Sequence, residues 1–240
     1  MLPAVVIASL WITSFLSVLS FNLQSTPILF VLIAVFFRTF LQTGLFIIAH
    51  DAMHSVLCRS NLKLNNTLGS ISLALYAFLP FSNCSKNHNL HHKYQATQLD
   101  PDFSSANNKG ILSWYFKFMT GYLSLTQMGM LLCSWGLLWF AFKNVTPSAM
   151  LNVFIFCIVP LLLSSIQLFI FGTYLPHRHQ GAGEAKQQAQ SLELPALLSL
   201  LACYHFGYHR EHHINPSLAW FELPAARCRS KELAISGELN

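Results

Sequence analysis

Four apolar stretches, at residues 3–21, 27–48, 123–142 and 149–172, constrain this 240-residue chain more than any other feature of its sequence. Each is close to or above the roughly 20 residues that a helix needs to cross a hydrocarbon core of about 30 Å. Inside a bilayer a helix also satisfies its own backbone polar groups, which an open sheet does not. The sequence therefore predicts an all-α integral membrane protein with four transmembrane helices. Linkers 21–26 and 143–148 are short, and Pro27 and Pro147 mark helix starts beside them, so each pair of spans should form an antiparallel hairpin. Composition agrees, with 53% hydrophobic and 10% charged residues against roughly 25% charged in soluble domains. No Pro/Gly/Ser-rich linker divides the chain, so residues 1–240 read as one domain. The opening Met1-Leu2-Pro3-Ala4 lacks the basic region and cleavage site of a signal peptide, and the first span is expected to be retained.

Two further apolar stretches, 68–81 and 194–206, are too short for a span and read as re-entrant or interfacial segments. Their sidedness decides what the histidines can do. If 68–81 crossed the membrane, His50 and His54 would face one compartment and His88, His91 and His92 the other. Basic residues test this independently, because cytoplasmic flanks carry the excess of Lys and Arg. With both short segments turned back, Arg59, Lys63, Lys86, Lys93, Lys109, Lys117, Arg178, Lys186, Arg210, Arg227, Arg229 and Lys231 share one face. Lys143 alone falls on the other. This topology accounts for the net charge of +5 without a nucleic-acid partner, since the cations flank apolar segments and form no stripe with interleaved aromatics. Arg38 lies inside the second span, where it needs a partner, a polar cavity or a route to the surface, and Gln42 one turn later makes that face polar.

Eight of the eleven histidines fall in three clusters, each following an apolar segment on the cytoplasmic face: His50 and His54; His88, His91 and His92; His209, His212 and His213. Residues three and four apart share one side of a helix, so each cluster aims at least two imidazoles in one direction. A catalytic zinc takes about three protein ligands and a structural one four, so eight histidines exceed one zinc and two metals are the economical reading. Imidazole suits iron, zinc, copper and nickel alike; a water-poor site with open positions favours iron and oxygen activation. A lone H-x-x-x-H at a helix end is more often an interfacial pair. A zinc protease would need H-E-x-x-H, but position 51 is Asp. Asp51 and Glu211 read either as acceptors for imidazole N–H groups or as helix-end carboxylates. His177 is either a ninth ligand or a headgroup-facing histidine; His205, four residues before His209, is either a ligand or a support to one; His179 reads as solvated. The six cysteines form no C-x-x-C pair and read as small hydrophobes in apolar runs.

The three boxes resemble those of the membrane fatty-acid desaturase and hydroxylase superfamily. The resemblance narrows because they occur as His-Asp-Ala-Met-His (50–54), Asn-His-Asn-Leu-His-His (87–92) followed by Asp-Pro-Asp-Phe (100–103), Phe-Gly-Thr-Tyr-Leu-Pro-His-Arg (171–178) and Cys-Tyr-His-Phe-Gly-Tyr-His-Arg-Glu-His-His (203–213). Together, over about 39–226, these are similar to the bacterial and cyanobacterial β-carotene ketolases of the CrtW type. Ser55 stands where a Gly commonly follows the first box. The resemblance implies a non-haem di-iron oxygenase, with two iron ions held by the clustered histidines and no catalytic residue beyond the metal centre. It also implies dioxygen as co-substrate, a soluble ferredoxin-like electron donor and a carotenoid substrate taken from membrane lipid. The implied reaction is 4-ketolation of β-ionone rings by two hydroxylations and loss of water, giving echinenone and canthaxanthin. A carotenoid hydroxylase, an acyl desaturase and a membrane metal-binding protein without chemistry are the alternatives.

Overall fold

The computed structural model describes residues 1–95, 97–103, 110–178 and 189–236, so His179, Lys109 and Lys186 lie outside the described residues. The described residues are helical and contain no strand. Among the described residues, four helices are long and apolar enough to cross a membrane: α1 (Leu2–Leu19), α2 (Ile28–Met53), α6 (Leu125–Phe142) and α7 (Ala149–His177). Between and after them come α3 (Leu62–Ala77), α4 (Phe81–Tyr94), α5 (Ile111–Tyr122), α8 (Ala196–Cys203), α9 (His209–Ile214) and α10 (Leu223–Ser236).

The two interhelix turns meet at one end of the bundle. Asn152 donates from Nδ2 to the carbonyls of Leu19 (3.0 Å) and Phe21 (2.7 Å), Thr146 donates to Phe21, and Ser148 Oγ accepts the Leu23 N–H. These short polar side chains satisfy carbonyls and an amide where the chain reverses. All the clustered histidines lie at the opposite end.

α2 is the central element, packed against α1, α3 and α7, and its buried polar face joins them. Arg38 donates from Nη1 to the Trp11 carbonyl at 2.9 Å and to Ser14 Oγ at 3.2 Å, and its guanidinium lies over the Trp11 and Phe15 rings. Gln42 accepts from Trp11 Nε1 and donates to the Tyr76 carbonyl, both at 2.7 Å. The partner for a charge inside a span is thus a set of carbonyls and aromatic faces. A third acceptor, the Phe156 carbonyl 3.5 Å from Arg38 Nε, exists because Pro160 four residues later has no N–H to offer it. α7 widens to π-helical geometry at Phe154–Ile158 and Leu168–Tyr174. Each π segment is followed by a proline, Pro160 or Pro176, whose ring crowds the preceding turn.

α3 folds back on α2. Asn65 at its start donates to the Ala52 carbonyl at 2.8 Å, while Tyr76 near its end meets Gln42, so α3 runs back along α2. Ten residues of α2 separate these contacts, about 15 Å at 1.5 Å per residue. Phe78 (φ 55°) then reverses the chain, and α4 returns from Phe81 to the end where it began. The sequence treats 68–81 as one segment, whereas the structure cuts it at Phe78–Pro80 and gives Phe81 to the returning helix. Gly69 permits the close approach, since a Cβ there would lie 2.5 Å from the Phe81 ring and 2.7 Å from Ala52 Cβ.

α5 and α6 are separated at Leu123 and Ser124, where Ser124 and Gln127 form a capping box. Of the 18 residues of α6 only Leu131 is buried, so this span touches the bundle along a narrow line. Ser55, just beyond α2, has φ 61°. The left-handed region costs a non-glycine residue roughly 1–2 kcal/mol, which is the physical reason for a glycine to follow such a box.

Candidate metal centre

Four chain segments bring nine imidazoles together. The last turn of α2 and the residue that caps it supply His50 and His54, α4 supplies His88, His91 and His92, the end of α7 supplies His177, and α9 supplies His209, His212 and His213. They divide into two groups. Ring nitrogens of His50, His54, His88 and His212 lie within 4.8 Å of one another, as do those of His91, His177, His209 and His213. His92 belongs with the first group, with Nε2 3.1 Å from His88 Nε2 and 2.9 Å from His212 Nε2. Its ring also stacks on His213 of the second group at 4.2 Å, so the two groups adjoin.

The spacing suits cations. His54 and His88 Nε2 are 2.6 Å apart, His91 and His213 Nε2 3.1 Å, and His209 and His213 Nε2 3.0 Å. Ligands at right angles on metal–nitrogen bonds of about 2.1 Å stand about 3.0 Å apart. Neither four-histidine group contains a carboxylate, and a buried, all-imidazole donor set fits a transition-metal ion. His177, left open between two roles by the sequence, is buried inside the second group, its ring 4.9 Å from those of His91 and His209.

Six of the imidazoles outside the long helices, those of His54, His88, His92, His209, His212 and His213, are kept neutral, as metal ligands must be. Burial lowers the pKa of His88, His209, His212 and His213 well below the ordinary 6.5, and the neighbouring histidines lower it further. Burial takes His54 to about 4, and burial with the fields of His54, His91 and His177 takes His92 to about 3. His91 moves the other way. Burial lowers its pKa, but a hydrogen bond to Asp100 and the charges of Asp102 and Asp100 outweigh that and raise it. Both Asp100 oxygens lie 3.0 Å from His91 Nδ1. A carboxylate only accepts, so Nδ1 carries the proton and Nε2 points its lone pair into the second group. Asp100 and Asp102 appear in the sequence as part of a motif without a role. Their signal was two aspartates around a proline, shortly after a histidine box in an otherwise weakly charged chain.

For His54 and His92 the folded state stays unprotonated while the unfolded chain takes up protons below pH 6.5. Stability from these groups is complete above 6.5 and is lost as pH falls toward 4 and 3. Chelated protein should therefore lose several degrees of melting temperature between pH 7 and pH 5. A melting temperature that is flat or rises over that interval would refute the assignment of depressed pKa values.

Three sequence-named residues sit elsewhere than expected. His205 belongs to neither group. The helical register linking it to His209 is broken, because Tyr204 (φ 47°) and His205 (φ 65°) are left-handed, and its ring stacks on Tyr208 and Trp220. Glu211 is buried, but its carboxylate accepts from Arg227 Nη1 at 3.0 Å and from Ser191, tying α9 to α10 instead of orienting an imidazole. Asp51 is buried with Oδ1 4.0 Å from His50 Nδ1, beyond hydrogen-bond reach, and it accepts from the Trp220 backbone.

The Fatty acid desaturase family model matches residues 26–132 and 124–236, nearly the whole chain. The chain belongs to the fatty acid desaturase family. Within that family it is similar to ketolases. It is 38% identical over 195 residues to "Beta-carotene 4-ketolase 3" of Haematococcus lacustris, covering 78% of this chain and 59% of that protein. Against "Beta-carotene 4-ketolase" of Protosiphon botryoides it is 38% identical over 205 residues, 82% of this chain and 51% of that one. Against "Beta-carotene ketolase" of a Paracoccus strain it is 37% identical over 193 residues, 80% and 76% of the two chains. The chain thus spans between half and three fifths of the length of the Haematococcus and Protosiphon relatives.

In this desaturase-family protein the histidines border a cavity of about 40 Å³, lined by His50, His88, His91, His209 and Asp102 together with Phe46, Phe118, Tyr122 and Leu168. The last four also line a larger cavity of about 240 Å³ between α5, α6 and α7. Tyr76, Leu131, Trp135 and Leu161 line both this cavity and a neighbouring groove of about 520 Å³ that also borders Arg38. Phe46, Phe118, Tyr122 and Leu168 thus form a common wall between the apolar cavity and the imidazole pocket.

Proposed function

We propose that the protein is a β-carotene 4-ketolase, a membrane oxygenase that converts the C4 methylene of a β-ionone ring to a ketone. The observation that carries this reading is the shared wall of Phe46, Phe118, Tyr122 and Leu168 between an apolar cavity and nine clustered imidazoles. The names of the relatives supply the substrate class. The two histidine groups would hold two iron ions, with His50, His54, His88, His92 and His212 around one and His91, His177, His209 and His213 around the other. Bound there, the ions would supply the activation of dioxygen, with electrons from a soluble ferredoxin-like donor.

The chain's own part is positioning and exclusion of water. The larger cavity takes the ring and the start of the polyene, and its wall admits only the ring edge to the histidine pocket. C4 is allylic to the ring double bond, so its C–H bonds are weaker than those of C2 or C3. One hydroxylation gives an alcohol, a second a geminal diol, and loss of water leaves the ketone. The hairpin of α3 and α4 then dips into the bilayer from the cytoplasmic side, and the basic flanks lie on that same side.

Expression in a β-carotene-accumulating host should yield echinenone and canthaxanthin. Zeaxanthin would convert the reading to a C3 hydroxylase. Unchanged pigments with altered acyl chains would convert it to a desaturase, and reversible metal binding with no oxygen-dependent product would remove the enzyme.

A further inference from the structure

Of the four side chains at the wall between the two cavities, only Tyr122 carries a polar atom. Its hydroxyl donates to Asp102 at 2.8 Å to Oδ1 and 3.1 Å to Oδ2. Asp102 is buried and lines the histidine pocket. Its backbone is fixed from two sides: its carbonyl accepts from Trp114 Nε1 at 2.8 Å, and its N–H donates to Asp100 Oδ1 at 2.9 Å. A carboxylate has about four acceptor sites and one tyrosine does not fill them.

A hydrocarbon ring has no use for this pair, since nothing on it can hydrogen-bond. The first product of its oxidation does. We propose that Tyr122 and Asp102 bind the C4 hydroxyl of the alcohol formed in the first turnover and hold that ring in place for the second. This inference rests on the ketolase reading above. The alcohol O–H donates to a free Asp102 lone pair, and its oxygen lies against the Tyr122 phenol. In the second turnover the remaining C4–H bond is replaced by C4–OH, with dioxygen reduced by two electrons from the external donor and two protons to give one hydroxyl and one water. The geminal diol then loses one C–O bond and one O–H proton as water, leaving C4=O. Without the pair, the alcohol would be held by apolar contacts alone and would leave as readily as the hydrocarbon enters. The pair therefore decides between alcohol and ketone as the released product.

The test has two readouts. In detergent, without reductant, the wild-type metal-loaded protein should bind 4-hydroxy-β-carotene about 10-fold more tightly than β-carotene, as expected of a hydrogen bond to a charged group in an apolar site. Tyr122→Phe and Asp102→Asn should each reduce that preference. In the pigment-producing host, Tyr122→Phe should raise the ratio of released 4-hydroxy product to ketone about 10-fold. Equal wild-type affinity for alcohol and hydrocarbon overturns the proposal even if neither variant folds, as does an unchanged product ratio in a folded Tyr122→Phe protein. Absence of any ketone from wild type overturns the ketolase reading itself, a separate result.

Discussion

His212→Ala and His91→Ala should each abolish ketone formation, and each should lower the iron content of the purified protein by about half. The two residues belong to different groups, so the halves lost are different ones. His212 shares the first group with His50, His54 and His88, and its Nε2 is 2.9 Å from that of His92. His91 shares the second with His177, His209 and His213. Loss of a supporting partner beyond the ligands typically costs 10–100-fold in metal affinity or activity, so loss of a ligand should exceed about 100-fold. Iron analysis with ketone measurement reads both effects. Full activity with full iron in either variant would strike that histidine from the ligand set.

Removing the Asp100 carboxylate should produce the next largest loss. Asp100 fixes the His91 tautomer, and a wrong tautomer would turn an N–H toward the second group. Asp100→Ala should lower activity and iron retention by about 10–100-fold, and Asp100→Asn, which keeps an acceptor oxygen, should fall between it and wild type. The comparison separates orientation from packing: equal losses in both variants would mean that charge alone matters, and no loss in either would leave His91 held by its neighbours. An iron-release rate under chelator reads this without catalysis.

Much of this architecture was legible because the bilayer leaves the sequence little freedom. The four spans follow from length and hydropathy, and the need to bring His50 next to His88 already forces the chain between them to turn back. What remained hidden depends on local backbone choices. The i, i+4 relation of His205 to His209 implied a shared face, but the left-handed Tyr204 and His205 end α8 first. Glu211 sits among histidines in sequence, yet α10 delivers Arg227 to it from a segment with no apparent link to the site. Asp100 and Asp102 come from a turn after α4, and nothing in helical periodicity points a turn residue at a helix. Tyr122 is one of seven tyrosines, and only the helix break at Leu123 and Ser124 sets its ring between two cavities.

The slender attachment of α6 has a kinetic consequence. A groove whose outer wall is a helix with a single buried residue is open on the side that faces lipid in a membrane, so a carotenoid substrate of the kind proposed above would reach the site by lateral diffusion within the bilayer. The concentration that governs turnover is then the mole fraction of pigment among lipids, and aqueous dilution of vesicles leaves the rate untouched. Adding inert lipid at constant pigment slows it.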